Sequence, residues 1–210
     1  MSDGTPPSVT ARRVAAHRLG FERLAAPYGD PAADEALARD VAGDTGAGSS
    51  EWMARYLRGR TAFFDRVVVN AIDRGVTEVV SVGAGYDGRA LRYAKPGVRW
   101  WEVDRAATQA DKRARLAHLA IAVDDISFVT HDLTQSGLAR ALIAAGYQPD
   151  GIGLFICEGV VVYLPAAAVE LLFREVRSLA TVGTRLAFSV GTSTFSDDRA
   201  AHRQRFESGV

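Results

Sequence analysis

Val79-Val80-Ser81-Val82-Gly83-Ala84-Gly85-Tyr86-Asp87-Gly88-Arg89 decides how this chain is read. Four β-prone residues run into two glycines separated by one small residue. A helix-compatible run, Ala90-Leu91-Arg92-Tyr93, follows. A buried strand that ends in a tight glycine turn before a helix makes a nucleotide cradle. Gly83 and Gly85 let the backbone turn sharply and let a ligand approach closer than a Cβ would allow.

Beyond this turn the chain alternates. Strands are expected at 98–103 ending at Asp104, at 126–130 ending at His131-Asp132, at 152–157 ending at Glu158-Gly159, and at 185–190. Helices are expected between them, over about 106–120 and 136–145 and from Pro165 to Leu179. Such alternation gives right-handed crossovers and a mostly parallel sheet with helices on both faces, an α/β fold. Trp100 and Trp101 are adjacent on one strand and so fill opposite faces of the sheet.

Before the first strand the pattern is helical. Thr10 is read as the N-cap of a helix over 11–25, and Asp30 as the cap of one running to Val41. Ser49 or Ser50 opens a third over 51–74, with Trp52, Tyr56, Phe63, Val67, Val68 and Ile72 as apolar positions and Gly75 as C-cap. Gly43 to Ser50 has the length of a segment that closes over a ligand. Residues 1–8 read as disordered. The division expected is a helical cap over 1–75, an α/β core over 76–195 and a tail over 196–210, all in one globular unit.

The totals exclude several classes. The 210 residues are 48% hydrophobic and 24% charged, with 25 basic against 25 acidic residues. Nucleic-acid binders usually carry a basic excess, so no such partner is expected. Cys157 is the single cysteine, which rules out an internal disulfide and a cysteine-built metal site. No run approaches a membrane span, and the N-terminus lacks a signal-peptide apolar region. The expectation is a cytoplasmic protein without a membrane or metal partner.

Asp87, Glu102, Asp104, Asp132 and Glu158 all fall at or beside strand ends, where ligands bind in open α/β sheets. GAGYDG matches G-x-G-x-x-G, and Asp104 lies about twenty residues on, as in dinucleotide binders. A pyrophosphate would be repelled by Asp87 just after the turn. S-adenosylmethionine has no phosphate; its sulfonium, ammonium and ribose hydroxyls suit carboxylates.

SVGAGYDGRALRY, WWEVDRAATQADKRARL, HDL and CEGVVVYLP, in this order, resemble the successive motifs of the leucine carboxyl methyltransferase family, with actinobacterial-type members. TARRVAAHR, DPAAD and RGRTAFFD are similar too, so the resemblance covers about residues 9–195. It implies a class I, Rossmann-like methyltransferase that uses S-adenosylmethionine. Arg60 would pair with the cofactor's methionine carboxylate. Gly83, Ala84 and Gly85 would line its path, and Asp104 with Arg105 would hold the ribose end. Asp132 and Leu133 would frame the adenine, and Glu158 would sit near the ammonium and methyl donor. Asp87 and Arg89 match the family's acidic-x-Arg, with Gly88 in place of the commoner threonine. Family members continue past the fifth strand with a lid and two more strands. Here about twenty residues follow Val190, so the C-terminal strands read as missing or shortened, and a homodimer is one way to cover the exposed edge.

The expected reaction is O-methylation of a small metabolite or sugar at a carboxylate or hydroxyl. A carboxylate acceptor is already anionic, whereas a hydroxyl needs a base. The candidates are Glu158, Tyr163 and His131 as catalytic groups, with His202 as a further base. Glu102 is read as structural, and Cys157 as a small buried hydrophobe. The competing readings are an NAD-dependent oxidoreductase and a non-catalytic protein that keeps a cofactor site.

Overall fold

The structure is a computed structural model that describes residues 6–43 and 51–191. The loop 44–50 with the Ser49 and Ser50 caps, residues 1–5, and the tail with His202 lie outside the described residues. Five strands, β1 (Glu78–Val82), β2 (Arg99–Asp104), β3 (Ile126–Thr130), β4 (Gly153–Cys157) and β5 (Arg185–Phe188), form one sheet. Its order is β3-β2-β1-β4-β5 and every pair is parallel. The chain builds outward from β1 to β3, then crosses back to place β4 on the other side of β1. The reversal opens a crevice beyond the carboxyl ends of β1 and β4.

Residues in β1 and β4 are buried on both sides, as their continuous apolar runs require. Trp100 and Trp101 go to opposite faces. Trp100 packs with Phe64, Val68, Ile72 and Val79, and Trp101 with Val80, Phe155, Leu172 and Val176. The first face is therefore covered by α3 (Glu51–Asp73) and the second by α7 (Ala166–Ser178) and α6 (Leu138–Ala144). On the other helices, α2 (Pro31–Ala42) begins with the Asp30 side chain accepting from Ala33 N, as expected. Gly75 ends α3 with φ +88°, and Val76 N donates to Ala71 O.

Two local expectations fail. The first helix, α1, is capped by Ser8, whose hydroxyl accepts from Ala11 N, and it runs from Val9 to Arg18 instead of to residue 25. Beyond Gly20 the chain turns so that Arg23 reaches Asp65 and Asp34 in the interior, at 2.6 and 3.2 Å. Helix propensity amounts to tenths of a kcal/mol per residue, while a buried carboxylate left without its cation costs several. The ion pairs win. On α3 the buried stripe runs through Met53, Leu57, Phe64, Val68 and Ile72, and Trp52 and Phe63 point outward. The helix expected after the glycine turn forms as α4 (Arg89–Arg92), a single turn. The remaining helix, α5 (Ala106–His118), follows β2. Among the described residues no helix is long and apolar enough to cross a membrane.

Candidate functional site

Asp104 closes β2 beside the glycine turn. Its Oδ2 accepts from Gly85 N and its Oδ1 from Arg105 N, both at 2.7 Å. Ala84 N donates to Val103 O, which ties the turn to the same strand. Burial raises the Asp104 pKa, and the two amides pull against that rise. The carboxylate is thus fixed in direction, and each oxygen keeps a lone pair for another donor. Arg105 itself is exposed at the N-cap of α5. At the end of β3, Asp132 is exposed, and its Oδ1 accepts from the Thr134 amide and hydroxyl at 2.9 and 2.8 Å. Leu133 packs against the Trp101 side of the core.

Glu158, just after β4, is gripped by three guanidiniums. Arg89 Nη1 lies at 2.6 Å, Arg60 Nε at 2.8 Å and Arg18 Nη2 at 3.1 Å. Burial would push its pKa up, but Arg89, Arg18 and Arg60 outweigh that and hold it down to about 2. Arg89 is fully buried and joins three elements. It donates to Asp65 Oδ1 of α3 at 2.7 Å, to Asp87 Oδ2 of the turn at 2.6 Å and to Glu158. Arg18 also reaches Asp87, at 3.4 Å. Sequence reading missed Arg18 and Asp65. The available signal was a charged residue within the inward stripe of a helix, as Asp65 stands between Phe64 and Val68.

The glycine turn does something other than expected. Gly83 and Gly85 have φ of +67° and +53°, so their freedom is used. What approaches them is the protein itself. A Cβ on Gly83 would lie 2.4 Å from Val160 Cγ2, and one on Gly85 would lie 2.9 Å from Ala11 Cβ. Asp87 does not face a ligand either. It points inward to Arg89 and Arg18, which hold it well below the usual carboxylate range against its burial. Repulsion by Asp87 is therefore no argument against a pyrophosphate. A stronger one replaces it: Asp87 Oδ1 accepts from Arg89 N, which caps the one-turn α4 and occupies its N-terminal amide. An anion at a helix N-terminus is held by free amides there, and the first one of α4 is already engaged.

Of the three catalytic candidates, His131 stands apart from Glu158. His131 follows β3 and Glu158 follows β4, three strand positions apart in the sheet, or about 14 Å at the usual strand spacing. The His131 ring contacts Gln135 O at 3.1 Å. Tyr163, in a 3-10 turn over Val161–Tyr163, packs with Met53, Leu57 and Phe21. Glu158, engaged by three arginines that hold its pKa down to about 2, is a weak base. Two structural readings hold. Glu102 is buried on Lys112, whose Nζ also donates to Asp87 O at 2.6 Å. Burial pushes the Cys157 thiol up to about 12.

Arg60 is buried on α3, whereas the neighbouring Arg58 is exposed over the Phe21 ring. Beside Arg60 a small cleft opens between α3 and the ends of β4 and β5, lined by Tyr56, Arg60, Gly159, Val162, Ser189 and Val190. Along the sheet edge, then, Asp132, Asp104, the glycine turn, Glu158 and this cleft follow one another in strand order.

Comparison with known proteins agrees with this arrangement. The leucine carboxyl methyltransferase family model matches residues 14–177. A protein of Mycobacterium avium (strain 104), described as an S-adenosyl-L-methionine-dependent methyltransferase, is 36% identical over 160 residues, covering 75% of this chain and 51% of its own. One from Frankia alni with the same description is 38% identical over 148 residues, with 68% and 51% covered. The chain spans about half the length of the curated relatives it matches. A Thermobifida fusca methyltransferase crystal structure superposes with a TM-score of 0.63 at 16% identity, covering 99% of this chain and 75% of that one. Magnesium protoporphyrin IX methyltransferase from Synechocystis, solved with bound S-adenosylmethionine, gives 0.50 at 18% identity, with 81% and 82% covered. At these identities the two structures establish the shared fold. The chain belongs to the leucine carboxyl methyltransferase family, whose enzymes depend on S-adenosylmethionine.

Proposed function

We propose that this chain binds S-adenosylmethionine along the carboxyl edge of its sheet and O-methylates a carboxylate of a small-molecule acceptor. The observation that carries the reading is Asp104, aimed by the Gly85 and Arg105 amides with lone pairs to spare, one strand from Gly83 and two from Glu158 along the same sheet edge. This donor set fits the cofactor. Asp104 offers paired acceptors for a ribose diol, Asp132 and Leu133 flank the adenine position, and Arg60 and Arg18 supply cations for a carboxylate. Glu158, the carboxylate that the ammonium and sulfonium would prefer, is ionised but held by Arg18, Arg60 and Arg89, and it would meet them only by exchanging one of these partners. Bound there, S-adenosylmethionine would supply a methyl group on a positively charged sulfur.

What remains for the protein is placement and charge. In-line displacement needs the acceptor oxygen held about 3 Å from the methyl carbon. Of the candidate bases, His131 lies across the sheet and Glu158 is held by three arginines, so neither is well placed to take a proton from an acceptor. A hydroxyl acceptor would have to lose its proton to such a base. A carboxylate arrives ionised, and this favours it over the hydroxyl of a metabolite or sugar. The capped one-turn α4 speaks against the oxidoreductase reading.

Isothermal titration with S-adenosylhomocysteine and with NAD tests the cofactor. Binding of the first and none of the second is expected, and the reverse would end the proposal. Transfer of labelled methyl groups to an acid library tests the acceptor. A methyl ester releases its label as methanol in alkali, whereas a methyl ether keeps it. Alkali-stable product would overturn the carboxylate assignment.

A further inference from the structure

The cleft beside Arg60 has an aromatic approach that the methyl-transfer reading does not use. Trp52, Tyr56 and Arg60 stand at four-residue spacing on α3, along one side of the helix. The Trp52 and Tyr56 rings stack, with centroids 5.8 Å apart and 6° between planes. The Arg60 guanidinium lies 5.4 Å over the Tyr56 ring. Tyr56 and Arg60 line the cleft. Trp52 is 65% exposed, whereas Trp100 and Trp101 are 1% exposed. Core packing does not explain it, because the buried stripe of α3 begins one residue later at Met53 and Leu57. Leaving the largest apolar side chain in water, one helical turn from a cleft, forgoes burial that a ligand would recover.

We propose that Trp52 and Tyr56 form a ring-binding subsite, and that the methyl acceptor carries a planar aromatic ring on an arm leading to its carboxylate. The proposal rests on the methyltransferase reading and adds the class of acceptor. Two features select that class. A flat stacked pair favours a flat partner, since ring-on-ring contacts contribute beyond the area they bury. The residues that line the cleft, with Gly191 added to the six above, include a cation, Arg60, and no carboxylate, so an anionic group there meets a guanidinium that it shares with Glu158, 2.8 Å from Arg60 Nε. Val162 and Val190 give the arm apolar walls. In the transfer the acceptor's carboxylate oxygen forms the new O–C bond. The donor's S–C bond breaks with its electron pair left on sulfur, and no proton moves.

The test uses the full chain with S-adenosylhomocysteine bound and two matched acid series: phenylacetate and 3-phenylpropionate against cyclohexylacetate and 3-cyclohexylpropionate. Trp52 is the exposed one of the three tryptophans, so acrylamide quenching of fluorescence reports on it. The phenyl acids are expected to shield Trp52 and to bind two- to tenfold tighter than the cyclohexyl acids. Trp52→Ala should abolish that preference without changing the melting temperature or the affinity for S-adenosylhomocysteine. Equal affinity of the two series, or no binding of either, overturns the ring subsite. So does a Trp52 already shielded before any acid is added. Equal rates of ester formation from both series also overturn it, while leaving the carboxylate methyltransferase reading intact. Failure to bind S-adenosylhomocysteine removes that reading and this one with it.

Discussion

Asp104 and Glu158 are both strand-end carboxylates, and their surroundings treat charge in opposite ways. Asp104 has two backbone amides and no cation in direct contact, so burial raises its pKa. Glu158 has three guanidiniums and is held down to about 2. If Asp104 holds the ribose, Asp104→Ala loses those hydrogen bonds and should weaken S-adenosylhomocysteine binding by about 1–3 kcal/mol, as read by titration calorimetry. The pH dependence follows from the same assignment. Binding should fall as pH drops through a value above the usual aspartate range, because protonated Asp104 loses acceptor strength. Glu158 should contribute no titration there. Arg89 makes a separate prediction. Its removal leaves Asp65, Asp87 and Glu158 sharing fewer cations in the interior, so Arg89→Met should cost about 3–5 kcal/mol in a denaturant titration. Arg89→Lys should rescue it only in part, since one ammonium cannot span the same fork of acceptors.

At the scale of elements, the turn after β1 is a packing device as well as a bend. Val160, from the segment after β4, occupies the space a Cβ on Gly83 would need. Gly83→Ala therefore suffers a clash and a left-handed backbone together, and should destabilise the fold by about 1–3 kcal/mol. In the double mutant with Val160→Ala the clash is relieved and the strain is not. A partial rescue is expected in a thermal-denaturation cycle, whereas full rescue would show that the backbone conformation costs nothing. The turn's glycines were evident in the sequence as a turn. That the segment after β4 would fill them was not, because Gly83 and Val160 are brought together by the pairing of β1 with β4.

Over the whole molecule the interior charge network should govern acid stability. Asp65, Asp87 and Glu158 have pKa values below the ordinary range in the folded state. A depressed carboxylate stabilises the fold fully above its unfolded value and loses that contribution as pH falls through its folded value. For Glu158 this window runs from 4.5 down to about 2. Glu102 and Asp104 are raised and act in the other sense. The urea midpoint is therefore expected to hold from neutral pH to about 4.5 and then to drop steeply. A midpoint that stays level down to pH 3 would mean the network contributes little.

The five strands, the three helices before them and the opposite facing of Trp100 and Trp101 were legible in the chain, because periodicity, turn residues and caps act over a few neighbouring residues. The strand-end carboxylates were legible as a set for the same reason. Their individual states were not. Glu158 takes its arginines from 140, 98 and 69 positions away, so its charge is decided by how α1, α3 and the glycine turn meet at one sheet edge. The early end of α1 has the same origin, in Arg23 drawn to Asp65 across 42 positions. Local pattern set which elements form; long-range pairing of buried charge decided where α1 stops and why Glu158 stays ionised despite its burial.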